Sequence, residues 1–252
     1  MADLSADDLA RYARHIVLRE VGGPGQMRLL DAKVAVIGAG GLGSPALLYL
    51  AAAGVGRIGV IDDDTVSLSN LQRQIAHRTN RIGRPKTESA AETLAALNPG
   101  VTVDLHDERL SRENAAQIFD GYDLVLDGSD NFETRRLVNR VCVGLRKPLI
   151  FGAIGQWEGQ VSLFEPDADG PCYECVFPED PAPGLAPSCA EGGVIGALAG
   201  VVGSVMALET VKRIAGAGEP LRGRLWLYDA LYAETRTIRI ERRPDCPVCG
   251  RG

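Results

Sequence analysis

The chain has 252 residues, of which 45% are hydrophobic, 24% charged and 5% aromatic; that is ample for a buried core in one large α/β domain or two small ones. A formal net charge of −6 argues against a nucleic-acid partner, whose phosphates call for a basic face, and favours a protein or small-molecule one. Residues Met1 to Asp8 carry three acids and no apolar core, so a secretory signal is not expected and a cytoplasmic location is.

Ser5 followed by Asp8 reads as a capping box, and Leu9, Ala13, Ile16 and Val17 recur at helical spacing, which predicts an opening helix over residues 5–19. The next stretch alternates strand and helix. Val34 to Ile37 reads as a strand, then a helix running to Ala53 and closed by Gly54, a strand from Ile58 to Ile61, and a helix from Lys86 to Leu97. Val101 to Leu105, a helix from Glu113 to Phe119 and the strand Leu124 to Leu126 continue the pattern. The expected fold is therefore α/β, a Rossmann-like, mostly parallel sheet with helices on both faces and a nucleotide-binding core over 33–150.

Beyond Phe151 the segments Gln160 to Phe164, Leu225 to Tyr228 and Thr235 to Ile240 alternate in polarity, which predicts mixed or antiparallel strands extending the sheet. Between them, residues 178–193 are rich in Pro, Gly and Ala and read as a loop. Gly192 to Leu208 carries no charge and contains the pair Gly196 and Gly200. Its length, its Gly and Ala content and the bounding Glu191 and Glu209 favour a buried helix packed closely on a sheet or a second subunit over a membrane span. No linker divides the chain, so residues 1–252 are expected to form a single domain.

The chemistry begins at Gly38-Ala39-Gly40-Gly41-Leu42-Gly43. A glycine loop between a strand and a helix lets the chain turn sharply, lets backbone N–H groups approach phosphate, and lets the helix pack on the strand. Asp62, about 20 residues on, is placed to accept from ribose hydroxyls. The run Ser69 to Gln74 contains Asn70 and Arg73, and Pro85 stiffens the approach to Lys86. Such cations suit a triphosphate better than a nicotinamide dinucleotide, which keeps an NAD-dependent oxidoreductase as the lesser alternative. Asp127 and Asp130 follow a strand at the carboxyl edge, where a carboxylate can hold magnesium; Asp130 can equally cap the next helix.

Cys172-x-x-Cys175 and Cys246-x-x-Cys249 can close a tetrahedral zinc site that clips a mid-chain loop to the chain end, with disulfides or redox pairs less favoured. Cys142 sits in an apolar helical pattern and reads as core, whereas Cys189 lies in the 178–193 loop. His15, His77 and His106 show no pairing that suggests chemistry.

Arg11-Tyr12-Ala13-Arg14-His15, GAGGLGS, DTVSLSNLQRQ, RPK, DGSDN, the paired CxxC and SCAEGG occur in that order over nearly the full length. Together they resemble the MoeB/ThiF/HesA family, relatives of the ubiquitin-activating enzymes. The resemblance implies Mg-ATP-dependent adenylation of the C-terminal Gly-Gly carboxylate of a small ubiquitin-like sulfur carrier, with release of pyrophosphate. Carried over by position, it assigns Gly38, Gly40, Gly41, Gly43, Asp62, Asn70, Arg73, Lys86 and Asp130 to the nucleotide. Arg14, Arg73, Lys86 and Asp130 are its catalytic set, with Asp130 also on magnesium. Arg14 would reach the site of the other subunit of a homodimer, and Cys172, Cys175, Cys246 and Cys249 would bind zinc. The loop with Cys189 would cross the carrier's tail, and Cys189 is the candidate for sulfur transfer. The rhodanese domain of some relatives has no counterpart here, so a separate sulfur donor is expected. The likeness is greater to members acting on the small subunit of molybdopterin synthase than to those acting on the thiazole-pathway carrier; a non-catalytic scaffold is the remaining rival.

Overall fold

The structure, a computed structural model, describes residues 4–166, 170–181 and 192–250. Its frame is an 8-stranded sheet of β1 (Lys33–Ile37), β2 (Arg57–Ile61), β3 (Thr102–His106), β4 (Leu124–Asp127), β5 (Leu149–Gly155), β6 (Glu158–Phe164), β7 (Arg224–Asp229) and β8 (Glu234–Arg239). The spatial order is β3-β2-β1-β4-β5-β6-β7-β8. The first five of these pair in parallel and β5 to β8 pair antiparallel, as the alternating segments predict.

The helices are α1 (Ala6–Arg11), α2 (Ala13–Ile16), α3 (Gly22–Asp31), α4 (Gly43–Ala53), α5 (Lys86–Leu97), α6 (Ala115–Asp120), α7 (Phe132–Leu145), α8 (Tyr173–Val176) and α9 (Gly196–Ala215). In β1 and β2 every residue after the first is buried, because helices cover both faces of the sheet. Val34 and Val36 face a core with Leu47 and Leu50 of α4, Leu94 of α5 and Met206 of α9. Their neighbours Ala35 and Ile37 face the opposite core, with Phe119 of α6 and Val138 and Cys142 of α7. Cys142 is thus a core thiol, and burial pushes its pKa well up.

Four local expectations need correction. The opening segment is not one helix: its capping box forms on Ser5 and Asp8, but the chain breaks at Tyr12. Tyr12 turns inward to accept from Asn98 Nδ2 at 2.8 Å, and neither α1 nor α2 buries a residue. The buried helix does not stop with the uncharged stretch: α9 runs on past Glu209 to Ala215, and the buried carboxylate accepts from Lys212 and from the Leu221 N–H. Of the pair Gly196 and Gly200 only the first is tightly packed, since a Cβ there would stand 2.1 Å from the Gln72 carbonyl oxygen. A Cβ at Gly203 would stand 2.4 Å from the Leu42 carbonyl oxygen, whereas one at Gly200 would meet nothing within 4 Å. Finally, the cap of α7 is Asn131, whose Oδ1 accepts from the Thr134 N–H at 2.9 Å, and not Asp130.

Candidate functional site

The sheet order reverses at β1, with β2 on one side and β4 on the other, and the loops leaving the carboxyl ends of these three strands converge there. They are tied together by Gly38 N–H to the Ile61 carbonyl (2.8 Å) and Gly128 N–H to the Ile37 carbonyl (3.0 Å). The glycine loop depends on its glycines: Gly38 has φ +83°, and a Cβ on Gly43 would lie 1.7 Å from the Gly38 carbonyl oxygen. A cleft of about 1520 Å³ opens above the loop, lined by Gly38, Gly40, Gly41, Asp62, Arg73, Lys86 and Asp130. It continues over β6 and β7 past Trp157, Gln160 and Tyr228 to Tyr232. Gly43 is not on its wall; it serves the packing of α4 under the loop.

Asp62 accepts from the Ala39 N–H at 2.7 Å and from the Asp64 N–H at 2.9 Å. Burial raises its carboxyl above the usual range, and Lys86 draws it part of the way back. The Lys86 ammonium is itself buried, 2.6 Å from Asp64 Oδ2 and 3.9 Å from Asp62 Oδ1. Asp64 is therefore a partner of Lys86, although its own side chain stays largely exposed. Arg73 borders Gly41 and donates to the Ser69 carbonyl at 3.2 Å. Asn70 is not on the cleft wall. Its Oδ1 accepts from the Ser67 N–H and its carbonyl accepts from the Arg73 N–H, so it shapes the turn that carries Arg73.

Asp127 is fully buried and holds the Ser129 N–H at 2.9 Å, while Asp130 is exposed on the wall. Burial raises the Asp127 carboxyl as it does that of Asp62. Arg14 lies exposed on α2 and does not line this cleft. Cys189 falls outside the described residues, as does most of the 178–193 loop.

Two cleft residues had no role in the sequence reading. Gln74, beside Gly40, and Arg135, in the first turn of α7, are both buried, and Gln74 Oε1 and Arg135 Nε have no hydrogen-bond partner. Buried orphan atoms on a concave wall suit a polar ligand. A signal for Arg135 was available: it lies four residues after Asn131, on the same helix face. A third residue, His77, contacts the glycine loop from behind, its Nε2 2.8 Å from the Ala39 carbonyl oxygen.

At the far end of α7 the four cysteines meet as expected. All four Sγ atoms lie within 4.8 Å of one another, with Cys172 to Cys246 at 3.7 Å, Cys172 to Cys175 at 3.9 Å and Cys175 to Cys249 at 3.3 Å. A tetrahedral ion with Zn–S bonds of about 2.3 Å sets its sulfurs roughly 3.8 Å apart, so the donor set fits zinc. The cysteines are free thiols in the structure, which departs from the disulfide alternative. Asn139 supports the turn, donating to Cys172 Sγ at 3.7 Å and accepting from the Tyr173 N–H at 3.0 Å. No helix among the described residues is long and apolar enough to cross a membrane.

Comparison with known proteins gives a consistent picture. The ThiF family model matches residues 12–248. A "Sulfur carrier protein adenylyltransferase" of Thermus thermophilus is 53% identical over 248 residues, covering 97% of this chain and 92% of that relative. A "SAMP-activating enzyme E1" of Haloferax volcanii is 50% identical over 249 residues, 99% and 92% of the two chains. Among solved structures, E. coli MccB with MccA-N7isoASN superposes with a TM-score of 0.86 over 96% of this chain and 75% of that one; at 23% identity it is the fold that is shared.

Proposed function

The chain belongs to the ThiF family, and on that footing we propose that it is an ATP-dependent adenylyltransferase acting on the C-terminal Gly-Gly carboxylate of a ubiquitin-like sulfur carrier, the small subunit of molybdopterin synthase being the favoured carrier. The whole chain would work as one adenylation domain. The observation that carries this reading is the cleft's shape. One end is a glycine loop ringed by Arg73, Lys86 and Asp62, and the other runs across β6 and β7 as a trough able to take an extended tail. A hydride-transfer site has no use for a buried ammonium at the phosphate end.

In this reading the tail carboxylate attacks the α-phosphorus and pyrophosphate leaves. Two anions must be brought together, so the barrier is mostly charge repulsion and positioning. Lys86 would exchange Asp64 for phosphate oxygens, Arg73 would fork onto the same group, and Asp62 would hold both the loop and the ribose. Gln74 and Arg135 supply further polar atoms on the wall. Asp130 would hold magnesium, which when bound neutralises phosphate charge. The cysteine cluster would hold zinc as a structural clip between α8 and residues 246–249.

A homodimer is supported by large apolar side chains left exposed: Val17 is 74% exposed, Tyr49 59% and Leu208 56%. Arg14 lies near the first of these, where a partner's cleft could receive it. Carrier-dependent exchange of labelled pyrophosphate into ATP tests the reading. Exchange that requires a Gly-Gly carrier supports it, and a protein that binds NAD but catalyses no exchange with any such carrier would refute it.

A further inference from the structure

The sequence assigns no chemistry to His77, yet its ring is buried and both nitrogens are engaged across separate elements. Nε2 lies 2.8 Å from the Ala39 carbonyl oxygen, and Nδ1 lies 2.9 Å from Ser89 Oγ. A carbonyl only accepts, so Nε2 carries the proton. In the neutral ring Nδ1 is then bare and accepts from the Ser89 hydroxyl. Burial, together with the nearby charges of Lys86 and Arg81, holds the imidazole below its ordinary pKa and so in this neutral form.

The two bonds reach both halves of the phosphate end of the cleft. Ala39 is gripped from two sides, its N–H by Asp62 Oδ2 at 2.7 Å and its carbonyl by His77. In a trans peptide the C=O and the following N–H point in opposite directions. With the Ala39 oxygen turned toward His77, the Gly40 N–H is turned away from it, on a residue that lines the cleft. The other bond goes to Ser89, in the first turn of α5, the helix that begins at Lys86.

We propose that His77 is a positioning residue for the adenylation reaction: its Nε2–H fixes the Ala39–Gly40 peptide so that the Gly40 N–H faces the phosphates of ATP, and its Nδ1 holds the helix that carries Lys86 in register with that loop. The proposal rests on the ATP-dependent reading above.

Amide side chains separate the two nitrogens, because the amide nitrogen of Gln reaches the place of Nε2 whereas that of Asn reaches only the place of Nδ1. Calorimetric titration of the full chain with Mg-ATP is the test, with thermal melting of each variant alongside. His77→Gln should bind ATP within about threefold of the wild type and His77→Asn at least tenfold more weakly, while the two variants melt close together. In pyrophosphate exchange His77→Asn should raise the KM for ATP about tenfold and change kcat less than threefold. Ser89→Ala, which keeps the imidazole, should weaken ATP binding severalfold and serves if His77→Asn does not fold. Gln and Asn variants that bind equally, whether both like the wild type or both weakly, would overturn the proposal, since ring volume and not the Nε2 donor would then be what matters. A wild-type protein that takes up no ATP would instead refute the functional reading itself.

Discussion

Lys86 is a buried cation held by two acids in a cleft whose proposed ligand is an anion. Its place at the start of α5, and the Asp64 carbonyl that accepts its N–H at 2.9 Å, fix it whether or not a phosphate is bound. Such preorganised charge is expected to act mainly on the reaction step. Lys86→Ala should lower carrier-dependent pyrophosphate exchange by about two orders of magnitude or more with the fold intact, and Arg73→Ala likewise; near-normal rates in either would count against their assignment. His77 makes a different prediction, in stability. Its pKa is depressed in the folded chain, by burial first and then by Lys86 and Arg81, while the unfolded imidazole titrates near its ordinary value of about 6.5. Below that pH the unfolded chain takes up a proton that the folded chain resists, so stability is complete above about pH 7 and falls as the pH drops through about 6.5. Melting curves from about pH 8 to about pH 5 should therefore fall more steeply for the wild type than for His77→Gln. Parallel curves would show that this ring does not titrate as described.

The elements that sequence made legible are those whose signals are local. Strands buried on both faces read as apolar runs, the glycine loop lies between one such run and a helix, and each CxxC pair places two thiols within one turn. The departures come from long-range partners. Nothing beside Tyr12 shows that it will turn in against Asn98, 86 residues away, and break the helix that the apolar spacing predicts. His77 is silent for the same reason, since its partner Ala39 lies 38 residues back on another element. In α9 the GxxxG spacing picks out Gly196, which does pack on Gln72, and Gly200, which does not; the second close approach, to Leu42 and Pro45, is at Gly203. Gly203→Ala should thus lower stability by about 1–3 kcal/mol, because backbone cannot move aside for the new methyl. Gly200→Ala, with open space and better helix propensity, should leave it unchanged or slightly higher. Urea melts of the two variants check the contrast, and equal effects would contradict this packing of α9.

Across the whole molecule, α7 spans from the cleft to the cysteine cluster. Its first turn puts Arg135 on the cleft wall, and farther along Asn139 and Arg140 hold Glu174, which lies between Cys172 and Cys175 in the chain. The exposed apolar residues just after α2 and on α4 and α9 are what a second subunit would cover, and the proposed reach of Arg14 into the partner's cleft has a specific consequence. Arg14→Ala and Lys86→Ala proteins, each inactive, should regain up to roughly a quarter of wild-type exchange when mixed, because half of randomly mixed dimers are mixed and each of those has one whole site. No recovery in mixtures that do exchange subunits would place Arg14 outside the partner's site. The central claim is that the cleft joins ATP to a peptide carboxylate. Its most direct measurement is mass spectrometry of a Gly-Gly-terminated sulfur carrier after incubation with the protein and Mg-ATP. A carrier heavier by one adenylyl group (AMP less water), a gain absent when the two terminal glycines are removed, is the predicted result; an unmodified carrier in a mixture where the protein demonstrably binds ATP would contradict the account.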